Sequence, residues 1–287
     1  MADAHRRTPP ISFDRVADRY DATRGLPSPL AEQVQEALAN HLGSSLSLEV
    51  GVGTGRHLLR LLARREARLV GVDVSPAMLR QARARGASRL VRSDARMLPF
   101  RDRGFDQSLS THLLHLVEEW PRVLAEIGRV TSQAYSTVLE LEEAEPDLSQ
   151  EYRRRARDEG VGREAPGLSE RKLPERLSAD QVVRVGELAY EREGAQVIDD
   201  LASRAFRDQW EVPAPAHDRI IAELRRQHAG AKVRTHLDVR IASWRADSIR
   251  QFAEQELARA SRANAVEAKA VPGTSSADRR RPLPSAP

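Results

Sequence analysis

Three glycines at alternate positions join an apolar run to a helical run in LSLEVGVGTGRHLLRLL, residues 46–62. A glycine-rich turn between a strand and a helix lets the backbone approach a bound nucleoside closely. Gly51, Gly53 and Gly55 are spaced G-x-G-x-G, whereas a dinucleotide pyrophosphate is met by G-x-G-x-x-G. The carboxylate of Glu49 would repel a pyrophosphate and attract a cationic group. The turn therefore favours a nucleoside that carries a positive amino group and no phosphate.

Two further acids follow the next two predicted strands. Asp73 ends the strand in ARLVGVDV, and Asp94 follows the strand in SRLVRSD. In an open α/β sheet, ligands bind at the carboxyl ends of the strands, and an acid after the second strand commonly accepts the ribose hydroxyls. A carboxylate after the third strand could meet an adenine amino group. Glu49, Asp73 and Asp94 are thus predicted to surround a nucleoside.

The elements that must position these acids alternate between strand and helix. Five strand signals, LSLEVG, ARLVGVDV, SRLVRSD, FDQSLST and YSTVLELEE, are separated by helical patterns such as SPAMLRQARARG. This alternation predicts βαβ units with right-handed crossovers and a largely parallel sheet. Further along, KVRTHLDVRIASW predicts a last strand, and APAHDRIIAELRRQH and SADQVVRVGELAYEREG predict helices.

The composition is typical of a globular protein with a charged surface. Of 287 residues, 40% are hydrophobic and 31% are charged, and the net charge is +4. Arginine and acid are interleaved rather than gathered into one stripe, which disfavours a nucleic-acid partner. The absence of cysteine excludes thiolate nucleophiles and cysteine-ligated metals. MADAHRRTPP lacks a signal-peptide core and no apolar run reaches about 18 residues, so we expect a cytoplasmic protein without a membrane span.

In combination, the motifs resemble those of class I S-adenosylmethionine-dependent methyltransferases. The stretches FDRVADRYDATRG, LEVGVGTGR, VGVDVSPAML, SDARMLPFRDRGFD and THLLHLVEEW carry the resemblance, which covers residues 13–142. They are most similar to the methyltransferase type 11 group, whose small-molecule branch includes ubiquinone and menaquinone biosynthesis enzymes. The resemblance implies a Rossmann-like α/β fold. Its mostly parallel seven-stranded sheet has the order 3-2-1-4-5-7-6, an antiparallel seventh strand and helices on both faces.

The resemblance also implies S-adenosylmethionine as cofactor and a set of residues that bind it. The glycine turn would line the methionine part, and Asp73 would take the ribose. Asp94 would bind the adenine amino group, with the backbone of Ala95 on the ring and Met78 packed against it. Tyr20 would close over the cofactor. The cofactor-binding residues expected in this way are Tyr20, Arg24, Glu49, Gly51, Gly53, Gly55, Asp73, Val74, Met78, Asp94 and Ala95.

Two histidines just beyond the fourth strand are the candidate catalytic residues. His112 and His115 lie in STHLLHLVEEW, and the resemblance places His112 opposite the transferred methyl group. Histidine titrates near neutrality, so it can remove a proton from an acceptor. Both histidines contact one site only if they share a face of the chain. The alternative is that either one packs or forms hydrogen bonds without meeting an acceptor.

The residues after the fourth strand also exclude other classes of methyltransferase. DNA amino methyltransferases carry N/D-P-P-Y/F there, whereas this chain has S-T-H-L. Methylation of cytosine at C5 needs a cysteine, which is absent. SLSTHLLH offers no cluster of carboxylates of the kind that metal-dependent catechol-type enzymes use, so no metal is expected.

We therefore expect transfer of a methyl group to an oxygen, nitrogen or carbon of a small-molecule acceptor by in-line displacement. Three alternatives remain. The chain could methylate RNA or protein through the arginines of YRRRARDEG, or bind S-adenosylmethionine without catalysis. It could also be an NAD-dependent dehydrogenase, although the glycine spacing and Glu49 argue against that class. The acceptor and the oligomeric state do not follow from the sequence.

The predicted domain organisation is a single methyltransferase domain at residues 11–258. We expect disorder before it, at residues 1–10, and after it, at residues 259–287. The tail is assigned from its Ala-, Arg-, Pro- and Ser-rich composition. The predicted parts of the domain are an N-terminal helical cap (11–43), a cofactor-binding core (44–142), and a substrate-side insertion with the last strands (143–258).

Overall fold

The computed structural model describes residues 11–18, 20–23, 25–57, 61 and 68–270. Seven strands form one sheet: β1 (Leu46–Val50), β2 (Arg68–Asp73), β3 (Leu90–Arg92), β4 (Phe105–Ser110), β5 (Thr131–Glu145), β6 (Gln181–Glu193) and β7 (Lys232–Arg245). Their order is β3-β2-β1-β4-β5-β7-β6. β1 to β5 pair in parallel, and β7 is antiparallel to both β5 and β6. The predicted fold class and strand order are confirmed.

Helices connect the strands and cover the sheet. They are α1 (Tyr20–Thr23), α2 (Ser28–Leu42), α3 (Pro76–Ala84), α4 (Trp120–Val130), α5 (Leu148–Asp158), α6 (Leu173–Arg176), α7 (Gly194–Ala202), α8 (Ala214–His228) and α9 (Ala246–Ala270). Arg56, His57 and Leu61 are also helical, whereas most of the helix predicted after β1 lies outside the described residues. No helix in the described part of the chain is long and apolar enough to cross a membrane.

Apolar side chains pack on both faces of the sheet, as expected for parallel strands covered by helices. On one face, Ile127 of α4 and Ile249 of α9 are fully buried against the strands. On the other face, Leu38 of α2 packs with Val239 of β7. The segment after β5 has a core of its own, in which α5, α7 and α8 enclose Tyr152. This helical insertion reaches the N-terminal segment, because the rings of Trp210 and Phe13 lie 4.9 Å apart.

The segment Gln181–Glu193 is a strand, and the predicted helix over SADQVVRVGELAYEREG is wrong. It pairs with β7 from Gln181 opposite Ser243 to Glu193 opposite Lys232. The β-branched valines of QVVRV favour a pleated surface, and the ladder to β7 supplies the partner that decides between helix and strand. Helical periodicity alone contains no information about that partner.

Helix α9 extends to Ala270, so the predicted disorder is wrong for residues 259–270. Ile249, Phe252 and Ala253 anchor the helix in the core. The alanines and arginines that follow are strong helix formers, and a helix that is already anchored can continue through them. Residues 1–10 and 271–287, where disorder is also predicted, lie outside the described residues.

The contact between α4 and α9 leaves no room for a side chain at Gly128. A Cβ built there would lie 2.7 Å from the Cβ of Arg250 and 2.9 Å from its backbone nitrogen. Gly128→Ala must therefore push the helices apart. We expect it to lower the free energy of unfolding by about 1–3 kcal/mol in urea denaturation, the usual cost of overpacking.

Gly230→Ala is the matched control, since no other described atom lies within 4 Å of a Cβ built at Gly230. We expect this change to stay within about 0.5 kcal/mol of the wild type. Equal stability of the Gly128→Ala protein and the wild type would contradict the close helix contact.

Candidate active site

A cleft of about 730 Å³, open to solvent, lies at the carboxyl ends of the parallel strands. The walls come from the N-terminal segment, the glycine turn, the ends of β2 and β3, and the loop after β4. The lining residues are Ile11, Phe13, Tyr20, Gly51, Gly53, Val72, Asp73, Val74, Met78, Ser93, Asp94, Ala95, Thr111, His112, Leu113, Leu116 and Val117.

The glycine turn gives the cleft a wall of bare backbone. Gly51, Gly53 and Gly55 have φ angles of +77°, +55° and +77°, in the left-handed region that favours glycine. No other described atom lies within 4 Å of a Cβ built at Gly53. A side chain at Gly53 would therefore occupy open space where the turn lines the cleft. The backbone here can come close to a ligand, as the glycine spacing predicts.

Asp73 joins the glycine turn to the start of α3. One carboxylate oxygen accepts a hydrogen bond from the Gly53 backbone nitrogen at 2.9 Å, and the other accepts from the Ser75 nitrogen at 2.8 Å. Burial raises the pKa of Asp73 above its usual value, and these backbone hydrogen bonds oppose that shift. Each carboxylate oxygen still has acceptor capacity for a ligand hydroxyl.

Asp94 lies on the cleft wall and is held by an arginine that the sequence analysis did not single out. The Nε and Nη2 atoms of Arg96 lie 3.1 and 2.7 Å from Asp94 Oδ2, and Arg96 Nη1 lies 2.5 Å from Glu119 Oε2. The Asp94 hydrogen bond is the largest cause of the raised pKa of Arg96. The arginine thus orients the Asp94 carboxylate. In the sequence, the only indication that Arg96 pairs with Asp94 is that the two residues are separated by one position.

The N-terminal segment is fastened across the cleft by two acids. Asp14 accepts hydrogen bonds from the Ser75 hydroxyl at 2.6 Å and the Ala77 nitrogen at 2.9 Å. The Ser75 hydrogen bond is the main cause of the lowered pKa of Asp14. Asp21 accepts a hydrogen bond from the Thr54 hydroxyl of the glycine turn at 2.8 Å. These contacts keep Tyr20, which lies between the two acids, against the cleft.

His112 meets a buried carboxylate from the end of β5. Its Nε2 lies 3.1 Å from Glu140 Oε1, and 37% of its side chain remains accessible. Burial lowers the pKa of His112, but Glu140 outweighs burial and the net shift is upward. Burial raises the pKa of Glu140, but chiefly His112 reverses the shift and lowers this pKa to about 2. With Nε2 engaged, Nδ1 is the ring nitrogen available to a ligand.

His115 has a different environment. Its Nδ1 lies 3.1 Å from Glu170 Oε2, in the helical insertion. The two histidine rings are 6.3 Å apart between centroids. His112 lines the cleft, whereas His115 does not.

Most of the predicted site residues come together in the cleft. Glu49 and Gly55 do not line it, and Glu49 is buried within β1. Arg24 lies outside the described residues. The predicted residues that line the cleft are Tyr20, Gly51, Gly53, Asp73, Val74, Met78, Asp94, Ala95 and His112.

Comparison with known proteins agrees with this geometry. Residues 48–134 match the family model described as a methyltransferase domain. The chain is 35% identical over 133 residues to malonyl-[acyl-carrier protein] O-methyltransferase of Halorhodospira halophila, covering 44% of this chain and 45% of that protein. It is 37% identical over 129 residues to demethylmenaquinone methyltransferase of Thermobifida fusca, covering 42% of this chain and 54% of that protein.

Among solved structures, a methyltransferase of Thermotoga maritima aligns with 79% of this chain and 97% of its own, at 18% identity and a TM-score of 0.43. The chain spans about half the length of the two curated relatives above. It contains a methyltransferase domain of the S-adenosylmethionine-dependent class. The predicted class and its cofactor are confirmed.

The pair of His112 and Glu140 predicts a specific titration. Glu140→Gln removes the charge that raises the pKa of His112 but leaves the ring partly enclosed at the cleft wall. We expect the His112 midpoint, measured by NMR of the imidazole, to fall relative to the wild type. Glu143→Gln on the exposed side of β5 is the control and should leave the midpoint unchanged.

The same pair predicts the pH dependence of stability. Because the folded-state pKa of His112 is raised, its stabilisation is complete below pH 6.5 and is lost as pH rises through the folded-state value. The stability difference between wild type and Glu140→Gln should therefore shrink from pH 6 to pH 9. Identical His112 midpoints in both proteins would refute the pairing.

Proposed function

We propose that the chain transfers a methyl group from S-adenosylmethionine to an oxygen, nitrogen or carbon of a small-molecule acceptor bound beside His112. The observation that carries this proposal is the meeting of three features in one cleft: the open glycine turn, Asp73, and the pair of His112 and Glu140. The cofactor, when bound, supplies a methyl group that its sulfonium already activates.

The cofactor half of the cleft suits a nucleoside. Asp73 would accept the ribose hydroxyls, since each of its oxygens has spare capacity. The backbone at Gly53 would lie along the methionine part. Met78 is 2% exposed and packs with Phe13, so it offers an apolar surface to the adenine. Asp94, oriented by Arg96, and the backbone of Ala95 would meet the ring edge.

The acceptor half of the cleft can remove a proton. His112 Nδ1 would take it from the acceptor, and the Glu140 carboxylate would stabilise the imidazolium that forms. General base catalysis of this kind contributes about 10²- to 10⁴-fold, and orientation of the reactants contributes further. Thr111 Oγ1 is buried on the cleft wall without a hydrogen-bond partner among the described residues. It would bind a polar atom of the acceptor.

The names of the relatives support methylation of a small acceptor group, but they do not identify which group this chain methylates. One relative is named for O-methylation of a malonyl group on a carrier protein, and the other for demethylmenaquinone. We infer only that the acceptor carries an acidic O–H, N–H or C–H that His112 can deprotonate.

The arginines of YRRRARDEG offer little support for methylation of RNA. Arg155 pairs with Glu151, Arg154 with Asp158, and Arg153 approaches Asp208 at 3.5 Å. These ion pairs offset the charges of Arg153, Arg154 and Arg155 on α5. A polyanion would need to displace the acids before it could bind there.

Cofactor binding is tested by isothermal titration with S-adenosylhomocysteine, S-adenosylmethionine and NAD. We expect the first two to bind and NAD not to. Asp73→Asn loses the charge that receives the ribose hydroxyls but keeps an oxygen for the backbone. Loss of a hydrogen bond to a charged group costs about 1.5–3 kcal/mol, so affinity should fall roughly 10- to 100-fold.

Asp158→Asn, at the exposed end of α5, is the control and should bind S-adenosylhomocysteine as the wild type does. Equal affinity of Asp73→Asn and wild type would overturn the ribose assignment. A wild-type chain that binds neither adenosyl compound would overturn the proposed function.

Catalysis is tested by release of S-adenosylhomocysteine during a screen of small-molecule acceptors. With an acceptor in hand, His112→Gln should lower kcat about 10²- to 10⁴-fold while cofactor affinity stays within about threefold. His236→Gln, at an exposed position of β7, is the matched control. Full kcat in His112→Gln would remove the general base from the mechanism. Binding without turnover for every acceptor would favour the non-catalytic alternative.

A further inference from the structure

Glu170 reaches from the helical insertion into the loop that carries His112. Its carboxylate is 5% exposed and accepts three hydrogen bonds. Glu170 Oε1 accepts from the backbone nitrogens of Leu113 at 2.5 Å and Leu114 at 2.7 Å, and Oε2 lies 3.1 Å from His115 Nδ1. All three partners follow His112 directly in the loop 112–117.

A second contact brings the backbones together. The Gly167 nitrogen donates to the His115 carbonyl oxygen at 3.1 Å. A Cβ built at Gly167 would lie 2.0 Å from the Leu114 carbonyl oxygen and 2.4 Å from that of Val117. Only glycine allows this approach. The segment 167–170 is thus packed directly on the loop 112–117.

His112 needs such support because its backbone conformation is unfavourable for a residue that has a side chain. Its φ angle is +55°, in the left-handed region that residues other than glycine rarely adopt. Strained conformations of this kind persist where neighbouring structure holds them. Here Glu140 holds the ring, and Glu170 holds the backbone from the next residue onward.

We propose that Glu170 is a positioning residue that holds His112 in its left-handed conformation, with its ring beside Glu140 at the cleft. Glu170 does not touch the acceptor and acts through the backbone of Leu113 and Leu114. His115 then serves as a partner that orients the Glu170 carboxylate. The catalytic consequence of this arrangement rests on the proposed function, whereas the arrangement itself does not.

A carboxylate suits this role better than other side chains. It accepts from several donors at once, and two of its partners here are backbone nitrogens that cannot move away. Burial raises the pKa of Glu170, but hydrogen bonding with His115 and the nearby histidine charges reverse the shift and lower it. Glu170 therefore stays ionised at neutral pH. Three charged groups act on His112: the carboxylates of Glu140 and Glu170, which raise its pKa, and the guanidinium of Arg56, which lowers it.

The test compares Glu170→Ala with the conservative Glu170→Gln by NMR, without any acceptor. In Glu170→Ala we expect hydrogen exchange of the Leu113 and Leu114 amides to accelerate at least about tenfold relative to the Leu109 amide of β4. The His112 midpoint should fall toward 6.5 as the ring leaves Glu140. Glu170→Gln keeps an oxygen for both amides, so it should restore most of their protection.

Glu256→Gln is the control for loss of a buried carboxylate, since Glu256 pairs with Arg176 and Arg259 away from the cleft. It should change neither readout. Wild-type exchange and an unchanged His112 midpoint in Glu170→Ala would overturn the proposal. If Glu170→Ala fails to fold, Glu170→Asp decides the matter, because it keeps the charge but shortens the side chain that reaches the two amides. Exchange of the Leu113 and Leu114 amides must then accelerate and the His112 midpoint must fall, and wild-type values of both overturn the proposal.

Titration of the wild type with S-adenosylhomocysteine separates the two proposals. A wild type that binds no S-adenosylhomocysteine refutes the function, yet the exchange and titration data still test the positioning. Once an acceptor is known, Glu170→Ala should lower kcat more than it raises KM, and Glu170→Gln should recover part of the loss.

Discussion

The carboxylate of Asp73 accepts a hydrogen bond from each of two turns that line one side of the cleft. Gly53 belongs to the turn after β1, and Ser75 begins the turn into α3, so one side chain sets the distance between two otherwise separate loops. Ser75 in turn donates to Asp14, which brings the N-terminal segment over the same place. The burial that raises the pKa of Asp73 also strengthens its hydrogen bonds, because little water competes for them. The cleft therefore depends on an acid whose backbone contacts do not exhaust its acceptor capacity.

The side of the cleft around His112 is built on a different constraint, the burial of carboxylates beside histidines. Glu140 and Glu170 are both largely buried, and a buried charge is tolerated only when it is paired and hydrogen-bonded. The sequence H-L-L-H supplies a partner to each acid, and the two histidines end in different roles. His112 faces the cleft, and His115 faces the insertion. The two histidines are three residues apart, and each contacts a different acid, so they do not share one site.

Features that depend on short stretches of chain were predictable, and features that depend on distant contacts were not. The glycine turn, Asp73 and the parallel strands follow from local patterns, and the sheet order follows from the family resemblance that those motifs carry. The strand β6 depends on pairing with β7, about fifty residues further along, and local periodicity favoured a helix. In the sequence, Glu140 could be noticed only as one of several acids in the second half of β5. Nothing in the sequence singles out Glu170, because it lies 57 residues after Leu113 and its role appears only when the insertion is folded.

The segment that matches the family model ends between His112 and the two acids near it in the fold. The matched segment ends at residue 134 and includes His112, yet Glu140 and Glu170 both lie beyond it. The histidine lies within the matched segment, whereas the acid beside its ring and the acid that accepts from the backbone of the following residues lie outside it. The region after the matched segment also forms the helical insertion beside the cleft. A substitution at Glu140 therefore changes the charge beside His112 without touching the contacts that Asp73 makes with Gly53 and Ser75.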